Sequence, residues 1–329
     1  MLRYVPIVGR MDFRDYLRLV ITFIILITEP IFRFFVRLLP DICTRKSKDD
    51  QKFSMKSSTA DFIESCGFKC SDHFVTTKDG YILGIHRITN QVQSNTGGSV
   101  EGSLPPVLLW HGFLMSSEVW VCSPDPKMSL ALTLSKAGYD VWLGNTRGNK
   151  YSAKHIKLKQ SQSRFWDFSF DQVALDDVPS TVDYILKTTN HSSLTYIGFS
   201  QGTAQAFAGL SFSQELNQKI NLFVALAPVT KPIGLENQGF NALVKTSPDI
   251  IYLLFGRKCL MSVILFWQKI VPPAIWAAMI EYAIYFIFNW DSKHLLYKEN
   301  NFRHLYSYSS VKCVVHWFQI ISSQRFQVC

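Results

Sequence analysis

The clearest chemical signal in the chain lies in five residues, Gly198-Phe199-Ser200-Gln201-Gly202, which fit the spacing Gly-x-Ser-x-Gly. They follow the apolar run Leu194-Thr195-Tyr196-Ile197 and precede the helix-forming run Thr203-Ala204-Gln205-Ala206-Phe207-Ala208. A strand that turns sharply into a helix presents a serine hydroxyl at the sheet edge and at a helix N-terminus, where the backbone dipole favours developing negative charge. The turn leaves no room for bulk, so Gly198 and Gly202 let strand and helix approach. The chemistry implied is attack of the Ser200 oxygen on an acyl carbon. Such a reaction also requires two N–H donors for the tetrahedral oxyanion. His111-Gly112-Phe113-Leu114 follows the apolar run Pro106–Trp110 and suits a tight turn aimed at the serine. The expected donors are the backbone amides of Phe113 and Gln201. His111 is expected to shape the turn rather than to serve as a base.

The elements that must hold these residues are legible as alternating runs. Phe74–Thr77 and Tyr81–Ile88, joined by Lys78-Asp79-Gly80, predict an antiparallel hairpin. Short apolar runs at Pro106–Trp110, Tyr139–Leu143, Leu194–Phe199 and Leu222–Ala227 predict buried strands. Helical patterns lie between them at Lys127–Ala137, Phe170–Thr188 and Gly202–Gln214. Strand and helix in alternation predict a mostly parallel sheet covered on both faces, with chemistry at the carboxyl ends of its strands.

Composition narrows the function. Of 329 residues, 47% are hydrophobic and 18% charged, which excludes a disordered chain. Aromatics reach 14% with 25 Phe, and the mean hydropathy of +0.08 hints at contact with lipid. The net charge of +9 suits anionic headgroups or nucleic acid. No nucleic-acid motif accompanies it, so no nucleic-acid partner is expected. Seven cysteines (Cys43, Cys66, Cys70, Cys122, Cys259, Cys313 and Cys329) show no paired metal-ligand spacing, and Cys66 and Cys70 are expected to lack histidine partners. Free thiols in a reducing compartment are expected, with no metal and no cofactor. Near the N-terminus, Leu17 to Leu39 is apolar but broken by Arg18, Glu29, Pro30, Arg33 and Arg37. Its longest pure run, Val20 to Thr28, is nine residues, about half of what a membrane crossing needs. Two short helices meeting at Pro30 would lie in one leaflet as an interfacial anchor. Residues 1–60 hold eleven Lys/Arg against six Asp/Glu, a balance of +5 that supports attachment to a membrane.

The motifs resemble, in order, those of the acid lipase branch of the α/β-hydrolases, and most closely the fungal membrane-anchored steryl ester hydrolases (the triglyceride lipase-cholesterol esterase group). The resemblance is carried by Leu109–Ser117, by Gly138–Asn149, by Phe165-Trp166-Asp167-Phe168-Ser169, by Gly198–Thr203 and by His316-Trp317-Phe318-Gln319. It implies an α/β-hydrolase fold with a helical cap insertion and N-terminal membrane-associated helices. It implies hydrolysis of steryl esters or triacylglycerols by a serine acyl-enzyme route. The setting it implies is a lipid droplet or the endoplasmic reticulum, with the catalytic domain facing the cytosol.

The expected organisation is an anchor over 1–45, a linker over 46–57, a core over 58–229, an apolar cap over 230–310 and the start of a C-terminal core region over 311–329. Within the cap, Leu260–Phe266 and Ala274–Phe288 flank Pro272-Pro273. Gln268, Lys269, the proline pair and Glu281 argue against a membrane span there. The triad acid and base are expected in none of these residues. Asp249, Asp291, His294, His304 and His316 all fall in or just behind the cap, and by resemblance the last core strands lie beyond Cys329. The expectation is therefore a truncated chain with impaired turnover. The alternative is a non-catalytic protein of a lipid surface.

Overall fold

The computed structural model describes residues 57–90, 104–232 and 247–327, together with 241, 244 and 245. The expected anchor, nearly all of the expected linker and residues 91–103 lie outside the described residues. Among those described, no helix is long and apolar enough to cross a membrane.

The hairpin forms and is longer than its apolar runs: β1 spans Phe68–Thr76 and β2 spans Tyr81–Asn90. Ser58 caps the short helix α1 (Thr59–Glu64) that leads into it, in a reciprocal capping box with Asp61. Strands β3 (Pro106–Trp110), β4 (Asp140–Gly144), β6 (Leu194–Phe199) and β7 (Ile220–Leu226) follow, and the two-residue β5 (Lys154–His155) pairs with β2. The main order is β1-β2-β4-β3-β6-β7. The hairpin joins β4 antiparallel, while β4, β3, β6 and β7 run parallel to one another. Every residue of β3 and β4 is buried, as a sheet covered on both faces requires.

Two apolar clusters flank this sheet. One face packs Leu108, Trp110, Trp142 and Tyr196 against Val178, Val182 and Ile185 of helix α3 (Val178–Thr189). The other packs Val107, Leu109, Val141 and Leu143 against Phe62 and Ile63 of α1 and Ala131 and Leu132 of helix α2 (Leu130–Lys136). At the far side β7 is half-buried, with Leu222 55% exposed.

Two expected helices are broken, each for a local reason. Lys127–Ala137 divides into a 3-10 turn at Pro126–Met128 and α2, because the Ser129 side chain accepts from Leu132 N–H and starts a new helix there. The run from Phe170 holds a π-turn at Val173–Asp177. Pro179, which has no N–H to give to the Leu175 carbonyl, stands just after it. The extra residue turns Asp177 inward, where it accepts from the Arg147 backbone at 3.0 Å and from its Nε at 2.7 Å. Arg147 is buried over the Tyr81 ring and also pairs with Asp79.

Beyond β6 come α4 (Gln201–Phe212), α5 (Gln214–Lys219) and β7. The apolar region that follows forms helices α6 (Pro248–Phe255), α7 (Ser262–Gln268), α8 (Pro273–Phe288) and α9 (Lys298–Leu305). A small antiparallel pair, β8 (Cys259–Leu260) with β9 (Ser309–Ser310), closes this layer. Helix α10 (Val311–Ser323) then returns to the core.

Candidate active site

Ser200 occupies the turn between β6 and α4 with φ 52° and ψ −117°, a region that non-glycine residues rarely adopt. Its N–H donates to the Leu226 carbonyl of β7 at 3.0 Å. Its own carbonyl accepts from the Thr203 amide at 2.8 Å and the Thr203 hydroxyl at 2.7 Å. Such strain costs about 1–3 kcal/mol and persists only where surrounding contacts enforce it. Two glycines make that enforcement feasible. A Cβ on Gly198 would lie 2.6 Å from the Gly202 carbonyl oxygen, and one on Gly202 would lie 2.5 Å from that of Trp110. The end of β3, the elbow and the first turn of α4 are therefore in backbone contact.

The turn after β3 meets the serine directly. A Cβ on Gly112 would stand 3.2 Å from Ser200 Cβ. Phe113 follows, and Leu114 has φ 58°. The Phe113 amide makes no hydrogen bond to another described residue. Gln201 is the first residue of α4, so its amide has no partner inside the helix. Both expected oxyanion donors thus flank the serine with N–H groups not used by the helix or turn. Ser200 itself is half-buried rather than enclosed.

His111 is fully engaged elsewhere. Its Nδ1 donates to the Gly112 carbonyl at 2.8 Å, and its Nε2 accepts from the Thr146 amide at 3.1 Å and Asn149 Nδ2 at 3.3 Å. Burial lowers its pKa to about 4, so the ring is neutral and shapes the turn.

Among the described residues, none of Asp249, Asp291, His294, His304 and His316 hydrogen-bonds the serine. Asp249 and Asp291 are exposed beside Arg257 and Lys293, and His294 is exposed. His304 lies in a buried cluster, 3.4 Å from Glu118. Glu118 in turn meets Lys150 Nζ at 2.6 Å and accepts from the Tyr151 hydroxyl. Despite burial, His304 and Lys150 hold the Glu118 pKa below its ordinary value. His316 of α10 sits 3.7 Å from Asp171, with its Nε2 at 2.9 Å from the Gln327 carbonyl. Among the described residues, none hydrogen-bonds the Ser200 hydroxyl.

Two features were invisible in the sequence. Trp317 donates from Nε1 to the Gln201 side-chain oxygen at 2.7 Å. Cys70, expected to lack a histidine partner, lies in one group with Asp72 and His86, the ligand atoms within 4.8 Å of one another. The hairpin register, which pairs Asp72 with His86, creates that proximity. The Asp72 carboxylate there accepts from His86 Nδ1 at 2.8 Å.

A mixed sheet with helices on both faces and a strained serine at a strand–helix elbow defines an α/β-hydrolase. Residues 59–124 match the family model of the partial α/β-hydrolase lipase region, and residues 105–259 match that of the α/β-hydrolase fold. A probable lipase of Schizosaccharomyces pombe is 40% identical over 334 residues, which covers 95% of this chain and 74% of that protein. Another probable lipase of the same organism is 48% identical over 274 residues, covering 82% of this chain and 59% of its own length. Gastric triacylglycerol lipase of Bos taurus is 34% identical over 276 residues, covering 82% and 68%. The chain belongs to this family of lipases with the α/β-hydrolase fold. Its match spans about three fifths of the length of the second Schizosaccharomyces pombe relative.

Proposed function

We propose that the chain carries the nucleophile and oxyanion site of a serine hydrolase that cleaves carboxylic esters of neutral lipids, steryl esters foremost and triacylglycerols as a second substrate class. The observation that carries this reading is the Ser200 backbone at φ 52° and ψ −117°, held at the N-terminus of α4 beside the turn of Phe113. The Ser200 oxygen adds to the ester carbonyl carbon and gives its proton to an acceptor. The carbonyl oxygen, now an anion, takes hydrogen bonds from the Phe113 and Gln201 amides. Collapse breaks the bond to the sterol or glycerol oxygen, which leaves as the alcohol with a proton. Water then cleaves the acyl-serine and releases the fatty acid.

Among the described residues, no base contacts the Ser200 hydroxyl. A serine without a base keeps its ordinary alcohol character, and loss of a triad member costs on the order of 10⁴–10⁶ in rate.

The substrate class and a lipid-surface setting draw support from the apolar region over α6 to α9. Helix α8 buries Trp276, Ala277 and Ile280 but leaves Ile275, Met279 and Tyr282 more than half exposed, and Leu253 of α6 is 84% exposed. These side chains fit the surface of a lipid droplet or of the endoplasmic reticulum membrane, with the core on the cytosolic side. That no described residue hydrogen-bonds the Ser200 hydroxyl also favours a second reading, a non-catalytic protein that binds the same surface.

Labelling with a fluorophosphonate probe, beside flotation with emulsions of cholesteryl oleate and of triolein, separates the two. Labelling lost in Ser200→Ala, with release of oleate, supports the hydrolase. Flotation without any labelling of Ser200 supports the binding protein and overturns the hydrolase. Labelling that persists in Ser200→Ala overturns the nucleophile assignment.

A further inference from the structure

The two donors of the oxyanion site come from separate parts of the chain, and each is held by the same third segment. The Ser307 amide donates to the Leu114 carbonyl at 2.7 Å. Leu114 is the residue after Phe113, and its φ of 58° places it in the left-handed region. A leucine stays there only when its neighbours impose it. Ser307 is itself pinned, because its hydroxyl accepts from the Lys150 amide at 3.0 Å and the residue is fully buried. Ten residues on, Trp317 of α10 donates to the Gln201 side chain at 2.7 Å. Trp317 also belongs to the cluster of Phe170, Ala204, Ala208 and Ile320 against which the Phe113 side chain packs.

We propose that Ser307 and Trp317 are positioning residues for the oxyanion site: the segment that leads out of the apolar helical layer fixes the Phe113 amide through Leu114 and the Gln201 amide through its side chain. Placement of that layer and competence of the serine site are then one event, because Ser307 lies two residues after α9. The helix α9 is also tied down by Asn300 Nδ2, which donates to the Cys122 carbonyl at 2.7 Å. Oxyanion donors stabilise charge that develops only in the transition state. Loosening them therefore slows acylation without weakening the first encounter with substrate.

The inference rests on Ser200 being the nucleophile, and the test keeps the two apart. The rate of Ser200 phosphonylation by a p-nitrophenyl phosphonate ester is followed against probe concentration, giving a limiting rate constant and an apparent binding constant. Trp317→Phe removes the donor and keeps a ring; Ser307→Ala removes the acceptor for Lys150. Each is expected to lower the limiting rate constant by about three- to tenfold, the size of one lost hydrogen bond, with the binding constant unchanged. Gln201→Met, which keeps the backbone amide, is expected to match Trp317→Phe, and the double variant to be no slower than either alone. Amide hydrogen exchange over residues 111–116 and 200–203 is measured in the same proteins and needs no turnover; faster exchange there in Ser307→Ala and Trp317→Phe is expected.

Unchanged limiting rates, an effect confined to the binding constant, or additive effects of Gln201→Met and Trp317→Phe overturn the inference. So does unaltered exchange, which decides the matter if a variant folds too poorly for kinetics. Labelling that survives in Ser200→Ala instead overturns the assignment of the nucleophile and leaves the exchange result to judge the positioning contacts.

Discussion

Replacing Gly202 by Ala tests the packing that makes the elbow. The new Cβ would sit 2.5 Å from the Trp110 carbonyl oxygen and 3.0 Å from that of His111, while ordinary contact begins at 3.4 Å. Both obstacles are backbone, one in the last residue of the fully buried β3 and the other in the residue after it, so neither can swing aside as a side chain would. Helix α4 and β3 must part by about 0.9 Å to restore contact distance. Overpacking of this kind costs about 1–3 kcal/mol, and rigid walls put Gly202 at the upper end. In a chain of this size the melting temperature should fall by roughly 5–10 °C. The same displacement separates Gln201 from Phe113, and a shift near 1 Å in a catalytic constellation costs about 10²-fold in rate. The assay is Ser200 phosphonylation well below the melting temperature, beside a thermal scan. Gly138→Ala is the control: its φ of +92° strains any side chain, but nothing lies within 4 Å of the added atom. It should lose about 1 kcal/mol of stability and label at the parental rate. A Gly202→Ala protein that melts and labels like the parent would refute the steric account of the elbow.

Further outcomes follow from the buried charges and the exposed apolar face. His111 has a folded-state pKa near 4, below its ordinary 6.5. The unfolded chain therefore binds the extra proton more tightly, and stability falls by about 3 kcal/mol as pH drops from 6.5 to 4. Urea titrations across that range should show the loss, and it should shrink in His111→Asn. Glu118 is an acid whose pKa is held down, so its contribution is complete above its ordinary value of 4.5 and is lost as pH falls below it. Glu118→Gln should remove that acidic limb and cost about 1–3 kcal/mol at neutral pH, because the Tyr151 hydroxyl and the exposed Lys150 lose a charged acceptor. Leu253→Asp combined with Tyr282→Asp should abolish flotation with neutral-lipid emulsions while leaving the melting temperature within about 2 °C, since both side chains point to solvent; flotation that survives would place the lipid contact elsewhere.

The division between what the sequence disclosed and what it concealed follows sequence separation. The elbow was readable because five consecutive residues contain the strand end, the strained serine and the glycines that allow it. Strands β3 and β6 were readable with their bounds, because a strand buried on both faces must be a short continuous apolar run. The single long helices were not, since their breaks depend on one capping hydroxyl at Ser129 and one missing N–H at Pro179. The contacts that hold the site in place are non-local. Ser307 reaches Leu114, and Trp317 reaches Gln201, across distances of 193 and 116 residues along the chain. His316-Trp317-Phe318-Gln319 stood out only as part of a resemblance, and nothing in a tryptophan among apolar neighbours announces a hydrogen bond to a glutamine. The Cys70, Asp72 and His86 group was hidden in the same way, because only the hairpin register brings the histidine across.

This separation bears on how the serine site is built. Local sequence suffices to bend the chain at Ser200, and glycines at 198 and 202 suffice to let β3 approach. Neither decides where the Phe113 amide points, because Gly112 is unconstrained in sequence and Leu114 adopts a conformation that leucine disfavours. That choice is imposed from outside, by a buried amide at Ser307 and by the ring of Trp317. Acylation should therefore respond to changes far from Ser200 whenever they shift the residues between α9 and α10. Asn300→Ala supplies such a change: it removes the bond to the Cys122 carbonyl and touches neither donor. Hydrogen exchange over residues 111–116 should quicken in this variant, and Ser200 phosphonylation should slow by about two- to fivefold, within the range of one lost hydrogen bond. If both stay at parental values, the turn after β3 holds its own shape and the coupling to the helical layer is absent.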